Sequence, residues 1–128
     1  MIVGIGIDLV EIARVERMIE RKGERMLARL FTGNERAYCS RMRSPAKHYA
    51  VRLAAKEAAF KALSGTNAAR EIGWADLEVV SDVHGRPALC FHGRASLRAT
   101  ELGVVRTHLS LTHSDASAGA VVILEADG

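Results

Sequence analysis

Asp8, Glu57 and Lys61 are of types, and at positions, suited to holding a metal ion and a phosphate together. Asp8 interrupts an apolar strand where the chain is expected to leave into a helix, a place where a carboxylate can face a cavity on rigid support. The same position also fits a helix N-cap for a segment beginning at Leu9, and the two roles can coexist. Glu57 and Lys61 are four residues apart in a helical stretch, which by itself describes an i, i+4 ion pair worth about 0.3–0.5 kcal/mol. Two carboxylates carried by separate rigid elements have a further use, because together they can hold Mg²⁺ while leaving positions for water and substrate phosphates. Lys61, one turn beyond Glu57, then meets a phosphate. Arg52 and Lys56, four apart on another stripe of that helix, either bind phosphate or remain solvated.

Other candidate chemistries find less support. HLSLTHS at 108–114 alternates polar and apolar, which places His108, Ser110 and Thr112 on one strand face and His113 at the following turn. Neither HExxH nor GxSxG accompanies these residues, so a zinc hydrolase and a serine-hydrolase elbow are both unsupported. Gly4 and Gly6 lie within a strand rather than after one, which excludes a dinucleotide fingerprint. Arg14, Arg17 and Arg21 fall at i, i+3 and i+7, a basic stripe that Arg25 extends. It reads either as a solvated face balanced by Glu11, Glu16 and Glu20, or as a surface for an acidic helix.

The elements that must position these groups follow from periodicity. Val3, Ile5 and Ile7 alternate with Gly4 and Gly6, a short strand whose other face accepts close neighbours. Leu9, Ile12, Val15 and Ile19 recur at three and four residues, predicting a helix over about 9–22 that stops at Gly23, then a short helix through Met26 and Leu30. Thr32 with Glu35 is a capping-box pattern for a helix near 34–42. Ser44-Pro45 and Gly65 bracket the strongest helix, about 45–63, whose alanines on several faces mark it as central. Residues 77–80 and 88–91 read as a hairpin, 94–102 as a helix ended by Gly103, and 107–112 and 119–124 as two further strands. The expected class is α+β, with an N-terminal strand, several helices including the long central one, then an antiparallel sheet.

A chain of 128 residues with 48% hydrophobic side chains is one domain over 1–128 with a core of its own. No run reaches the roughly 20 apolar residues of a membrane helix, and the apolar opening lacks a basic leader, so the expectation is a soluble, unexported protein with no membrane partner. Cys39 and Cys90, without CxxC spacing, suit buried thiols in a reducing compartment, which makes the cytoplasm the simpler location. The balance of 18 Lys+Arg against 15 Asp+Glu is compatible with a phosphate-bearing ligand or an acidic partner and demands neither.

GIGIDLVEIARVER at 4–17, FTGNE at 31–35, RLAAKEAAFKAL at 52–63 and HLSLTHS at 108–114 together resemble the holo-acyl-carrier-protein synthase family of 4'-phosphopantetheinyl transferases. The likeness spans nearly the whole chain, and the strand-borne aspartate with a distant AAKEAxxKA is specific in combination. It implies the fold of that family and transfer of 4'-phosphopantetheine from coenzyme A to a serine of an acidic acyl carrier protein, in support of fatty acid biosynthesis. Asp8 and Glu57 would bind Mg²⁺ with the diphosphate of coenzyme A, and Lys61 would lie beside the reacting phosphates. Arg52, His113 and Ser114 match positions that contact the nucleotide end of coenzyme A, and Arg14 and Arg21 match positions that dock the carrier. Similar members form homotrimers with active sites across subunit boundaries. Leu53, Ala68-Ala69 and Ser117 depart from the family pattern and bear on the adenine and loop contacts.

Two other classes fit part of the pattern. GIGID also resembles the first strand of RNase H-like metal nucleases, but there a strand meander follows, whereas here a helix is expected directly after Asp8. Three Phe, two Tyr and one Trp are few for stacking single strands, so no nucleic acid is expected as partner. A non-catalytic module binding acidic helices through Arg14, Arg17 and Arg21 leaves Asp8, Glu57 and Lys61 without a joint purpose.

Overall fold

Strand β1 (Ile2–Glu11) is longer than its alternation predicts and takes over the residues expected to begin the first helix. In the computed structural model, which describes residues 1–128, Leu9, Val10 and Glu11 pair with Gly119, Ala118 and Ser117 of β5 (Ser117–Ala126). Helix α1 (Ile12–Leu30) therefore starts at Ile12, with Glu11 as its N-cap, and Asp8 sits inside the strand opposite Ala120 rather than capping a helix. The residue spacing admitted both conformations, and the ladder to β5 decided between them. Gly23 (φ 59°, ψ −147°) breaks the helical backbone of α1 where the stop was expected. Leu27 and Leu30 bury the segment that follows.

Helix α2 (Gly33–Ser40) opens on the expected capping box, with the Glu35 amide donating to Thr32 Oγ1 (3.2 Å) and the Thr32 amide donating to Glu35 Oε1 (2.9 Å). It ends two residues before the predicted limit. Helix α3 (Pro45–Leu63) begins on its proline; Ser44 holds the N-cap position without a side-chain capping bond, and Gly65 follows the helix with φ 119°. Two 3-10 turns, Ala68–Glu71 and Trp74–Asp76, lead into the hairpin of β2 (Leu77–Ser81) and β3 (Pro87–Phe91). Helix α4 (Gly93–Leu102) ends at Gly103 (φ 74°), the left-handed terminator expected there. Strand β4 (Val104–His113) then pairs antiparallel with β5, giving a sheet of order β1-β5-β4 beside the separate β2-β3 sheet.

Helix α3 packs on the inner face of the larger sheet and against α1, so alanines of several helical faces are fully buried. The glycines of β1 permit this approach: a Cβ on Gly6 would overlap the Ala58 carbonyl oxygen, and one on Gly4 the Ala62 carbonyl oxygen. Backbone cannot swing aside as a side chain can, so Gly6→Ala is expected to cost at least about 1–3 kcal/mol in urea unfolding. A loss under about 0.5 kcal/mol would mean that the helix is free to retreat.

The opposite face of the sheet carries Ile5, Ile7 and Leu9, which are 65%, 67% and 72% exposed. The ladder aligns them with Val121 and Ile123 and, beyond, with His108, Ser110 and Thr112, which share one face as expected.

Candidate functional site

Because Gly6 lets α3 lie close, the next inward residue of β1, Asp8, meets the stripe of α3 that carries Glu57 and Lys61. Lys61 Nζ donates to Asp8 Oδ1 and to the Ile7 carbonyl, both at 3.0 Å. Lys61 thus reaches across to the strand, which is a different contact from the local i, i+4 pair. The Asp8 carboxyl is also within hydrogen-bonding reach of the Glu57 carboxyl. Two ionised carboxylates cannot donate to each other, and Asp8 Oδ2 is buried with no donor facing it. A proton or a cation between the two carboxyls would relieve their repulsion.

The electrostatics have the same cause. Burial, then the hydrogen bond and repulsion from Asp8, push the Glu57 carboxyl up to about 7, against the pull of Arg14 and Lys61. Burial also raises Asp8, but its bonds to Glu57 and Lys61 outweigh that and leave it below the usual aspartate value. A pair of oxygen ligands with one unpartnered buried atom fits a hard divalent ion such as Mg²⁺.

Glu57 stands where two cavities meet. One, about 350 Å³, is lined by Phe60, Lys61, Arg70, Ile72 and Trp74 besides Glu57. The other, about 650 Å³, lies under α1, where Arg14, Lys22, Arg25 and Arg29 surround it together with Glu57 and Trp74. Of the basic stripe read from the sequence, Arg14 and Arg25 line this cavity, while Arg17 and Arg21 are exposed outside its lining. Lys22 was missed because it follows Arg14 and Met18 on the i, i+4, i+8 row rather than the i, i+3, i+7 row of the arginines, and Arg29 because it lies beyond the break at Gly23, which a single helical wheel does not represent. Arg70 and Trp74 lie outside every motif, and Phe60, although within RLAAKEAAFKAL, had no role assigned from the sequence; packing places all three here.

Arg52, His113 and Ser114 lie at the turn between β4 and β5 and the adjoining face of α3. The Arg52 guanidinium sits 4.0 Å from the centre of the Tyr38 ring, its Nη1 donates to the His48 carbonyl (3.5 Å), and its Nε is buried without a partner. Burial, then the charges of Arg52 and His113, lower His48. Ser114 Oγ accepts from the amides of Ala116 and Ser117, at 3.3 and 3.1 Å. The expectation that Arg52 and Lys56 remain solvated or meet phosphate fails for Lys56. That side chain is fully buried, 2.7 Å from Glu35 Oε1, and also donates to the carbonyls of Leu77 (2.6 Å) and Trp74 (3.0 Å). Arg52 is buried as well. In each case the rest of the fold closes over a helix face that sequence alone leaves open.

The chain is similar to known proteins over nearly its whole length. A family model described as the 4'-phosphopantetheinyl transferase superfamily matches residues 4–121. The holo-[acyl-carrier-protein] synthase of Geobacter sulfurreducens is 46% identical over 125 residues, covering 98% of both chains. That of Alkalilimnicola ehrlichii is 51% identical over 126 residues, again covering 98% of both. Among solved structures, the Neisseria meningitidis synthase superposes with a TM-score of 0.85 at 28% identity, covering 98% of this chain and 99% of that one. A Bacillus anthracis synthase in complex with CoA (3',5'-ADP) gives 0.79 at 36% identity, covering 99% of each.

Proposed function

Since the chain belongs to the 4'-phosphopantetheinyl transferase superfamily, we propose that Asp8, Glu57 and Lys61 form the centre at which it works. The protein transfers 4'-phosphopantetheine from coenzyme A to a serine of an apo-acyl carrier protein, leaving 3',5'-ADP. The observation that carries the site assignment is the meeting of Asp8 and Glu57 from two rigid elements around a buried oxygen with no donor.

In the reaction, the carrier serine Oγ forms a bond to the phosphorus of the phosphopantetheine phosphate as the bond from that phosphorus to the ADP oxygen breaks. Mg²⁺, when held by Asp8 and Glu57, supplies neutralisation of charge on the diphosphate. Lys61, whose ammonium is half exposed beside Asp8, donates to the oxygens of the phosphate being transferred and offsets the charge developing there. The serine proton passes to a metal-adjacent carboxylate or to a water that it orients. Glu57, which stands where the two cavities meet beside Lys61, is the carboxylate assigned to that task. Arg52, His113 and Ser114 receive the nucleotide end of coenzyme A.

Arg14 and Arg21 dock an acidic helix of the carrier, and the carrier is that of fatty acid biosynthesis. Arg14 also bears on Glu57, so Arg21 isolates docking from chemistry. Arg21→Glu is expected to weaken carrier use on the order of tenfold at low salt and flatten its salt dependence, with coenzyme A affinity unchanged. Equal loss of both would contradict the docking role.

The working assembly is a homotrimer in the cytoplasm. In support, Ile5, Ile7 and Leu9 stand exposed together on one sheet face, the kind of contiguous apolar surface that an association covers, both cysteines are free, and no helix is long and apolar enough to cross a membrane. Sedimentation equilibrium should return the trimer mass, and a fully active monomer would refute it. The overall reading is tested by incubating the protein with coenzyme A, Mg²⁺ and apo-carrier and weighing the carrier. A phosphopantetheine mass increment is expected, and its absence with several folded carriers would end the reading.

A further inference from the structure

We propose that Glu78, Cys90 and His92 form a second metal site, separate from Asp8 and Glu57, for a thiophilic divalent cation of the zinc class. Glu78 and Cys90 are directly opposite each other in the β2–β3 ladder, and His92 follows two residues after Cys90. The three side chains therefore project from one face of the hairpin. One donor atom from each lies within 4.8 Å of the others. A tetrahedral ion bonded at about 2.0–2.3 Å holds its ligands some 3.3–3.8 Å apart, so rotamer adjustment of under about 1.5 Å closes the site.

The carboxylate is already oriented for this use. Thr32 Oγ1 donates to Glu78 Oε2 at 2.6 Å, while the Thr32 amide is tied to Glu35 by the capping box. Glu78 Oε1 is left facing His92 Nε2 at 3.0 Å. Such an outer partner fixes a ligating carboxylate and sharpens metal affinity. The backbone of His92 is held as well, its amide donating to the Asp76 carbonyl at 2.8 Å. The Glu78 side chain is 9% exposed and that of His92 48%, so an ion would meet a buried carboxylate on one side and solvent on the other.

Glu78 and His92 alone would describe an ion pair. Cys90, a free and partly exposed thiol whose sulfur lies within 4.8 Å of a donor atom of each, is what turns the pair into a donor set. A sulfur donor selects zinc-like ions over Mg²⁺. The ion would cross-link β2 to β3 and to His92 before α4, and Glu78 would remain bonded to Thr32 at the start of α2, which stiffens the hairpin beginning at Leu77 without entering the transfer reaction.

Cobalt(II) is the probe. Chelator-treated protein titrated with Co²⁺ should develop sulfur-to-cobalt charge-transfer absorption and the visible bands of a tetrahedral ion, both displaced by Zn²⁺ and unaffected by excess Mg²⁺. Cobalt held by oxygen donors at Asp8 and Glu57 gives no sulfur band, so the two sites are distinguished. Cys90→Ser should abolish that band, and His92→Ala should weaken cobalt binding about tenfold or more, with Mg²⁺-dependent carrier modification unchanged in Cys90→Ser. In the unaltered protein, zinc should protect Cys90 from alkylation; Cys39, fully buried with its thiol raised to about 11, stays unmodified throughout. A cobalt spectrum lacking the sulfur band, or Cys90 alkylated equally fast with and without zinc, would overturn the proposal.

Discussion

Glu57→Gln is expected to lower carrier modification by about a hundred- to a thousandfold while making the metal-free protein more stable. The two effects have one origin. In the folded chain the Glu57 carboxyl is raised to about 7 by burial and by Asp8, so between roughly pH 4.5 and 7 the folded state holds a proton that the unfolded state has released. Stability contributed by this group therefore falls as pH rises through that window, and the cost is complete above it. Asp8 stays ionised over this range and adds no slope of its own. A glutamine removes the cost. Allowing for the solvent contact of Glu57, the gain should reach about 1–2 kcal/mol at pH 8. Melts of chelator-treated parent and variant should coincide more closely at pH 5 and separate at pH 8, and Mg²⁺ should narrow the gap by stabilising the parent alone. Asp8→Asn should lose activity to a similar extent. Full transfer by either variant, or a Glu57→Gln protein less stable than its parent at pH 8, would remove the assignment of these carboxylates.

Lys56→Met should cost about 3–5 kcal/mol of stability, much more than an exposed lysine on the same helix would. The ammonium sits between α2, α3 and β2 with no exposed surface, paired to Glu35 and donating to two main-chain carbonyls. Burial lowers its pKa and Glu35 opposes that shift. Removing it leaves the Glu35 carboxylate buried with only the amides of Thr32 and Val79, and leaves the carbonyls of Trp74 and Leu77 without this donor. Desolvation of those groups is the larger part of the expected loss. Guanidinium unfolding measures it directly, and a change below about 1 kcal/mol would show that water replaces the ammonium and that the cluster is loosely packed.

Much of the architecture was legible because local rules and the final fold agree. Thr32 and Glu35 announce α2 through a capping box that needs only four residues, Gly103 ends α4 by its own positive φ, and the alternation of β4 places His108, Ser110 and Thr112 on one face. The start of α1 was misread because Leu9 and Ile12 satisfy a helical spacing and a strand ladder alike. Only pairing with Gly119 and Ser117 selects the strand.

The sequence by itself determined the family, through motifs distinctive in combination, and offered two oxygen donors and an ammonium at specific spacings as its candidate centre. What the tertiary structure decided is which charges are free to act. Lys56 and Lys61 lie five residues apart on one helix with the same side chain, yet α2 and β2 close over the first and leave the second beside Asp8. Burial, and with it the dielectric and the available partners, is set by elements distant in the chain. A local pattern therefore names a lysine but does not say whether it holds a fold or meets a phosphate.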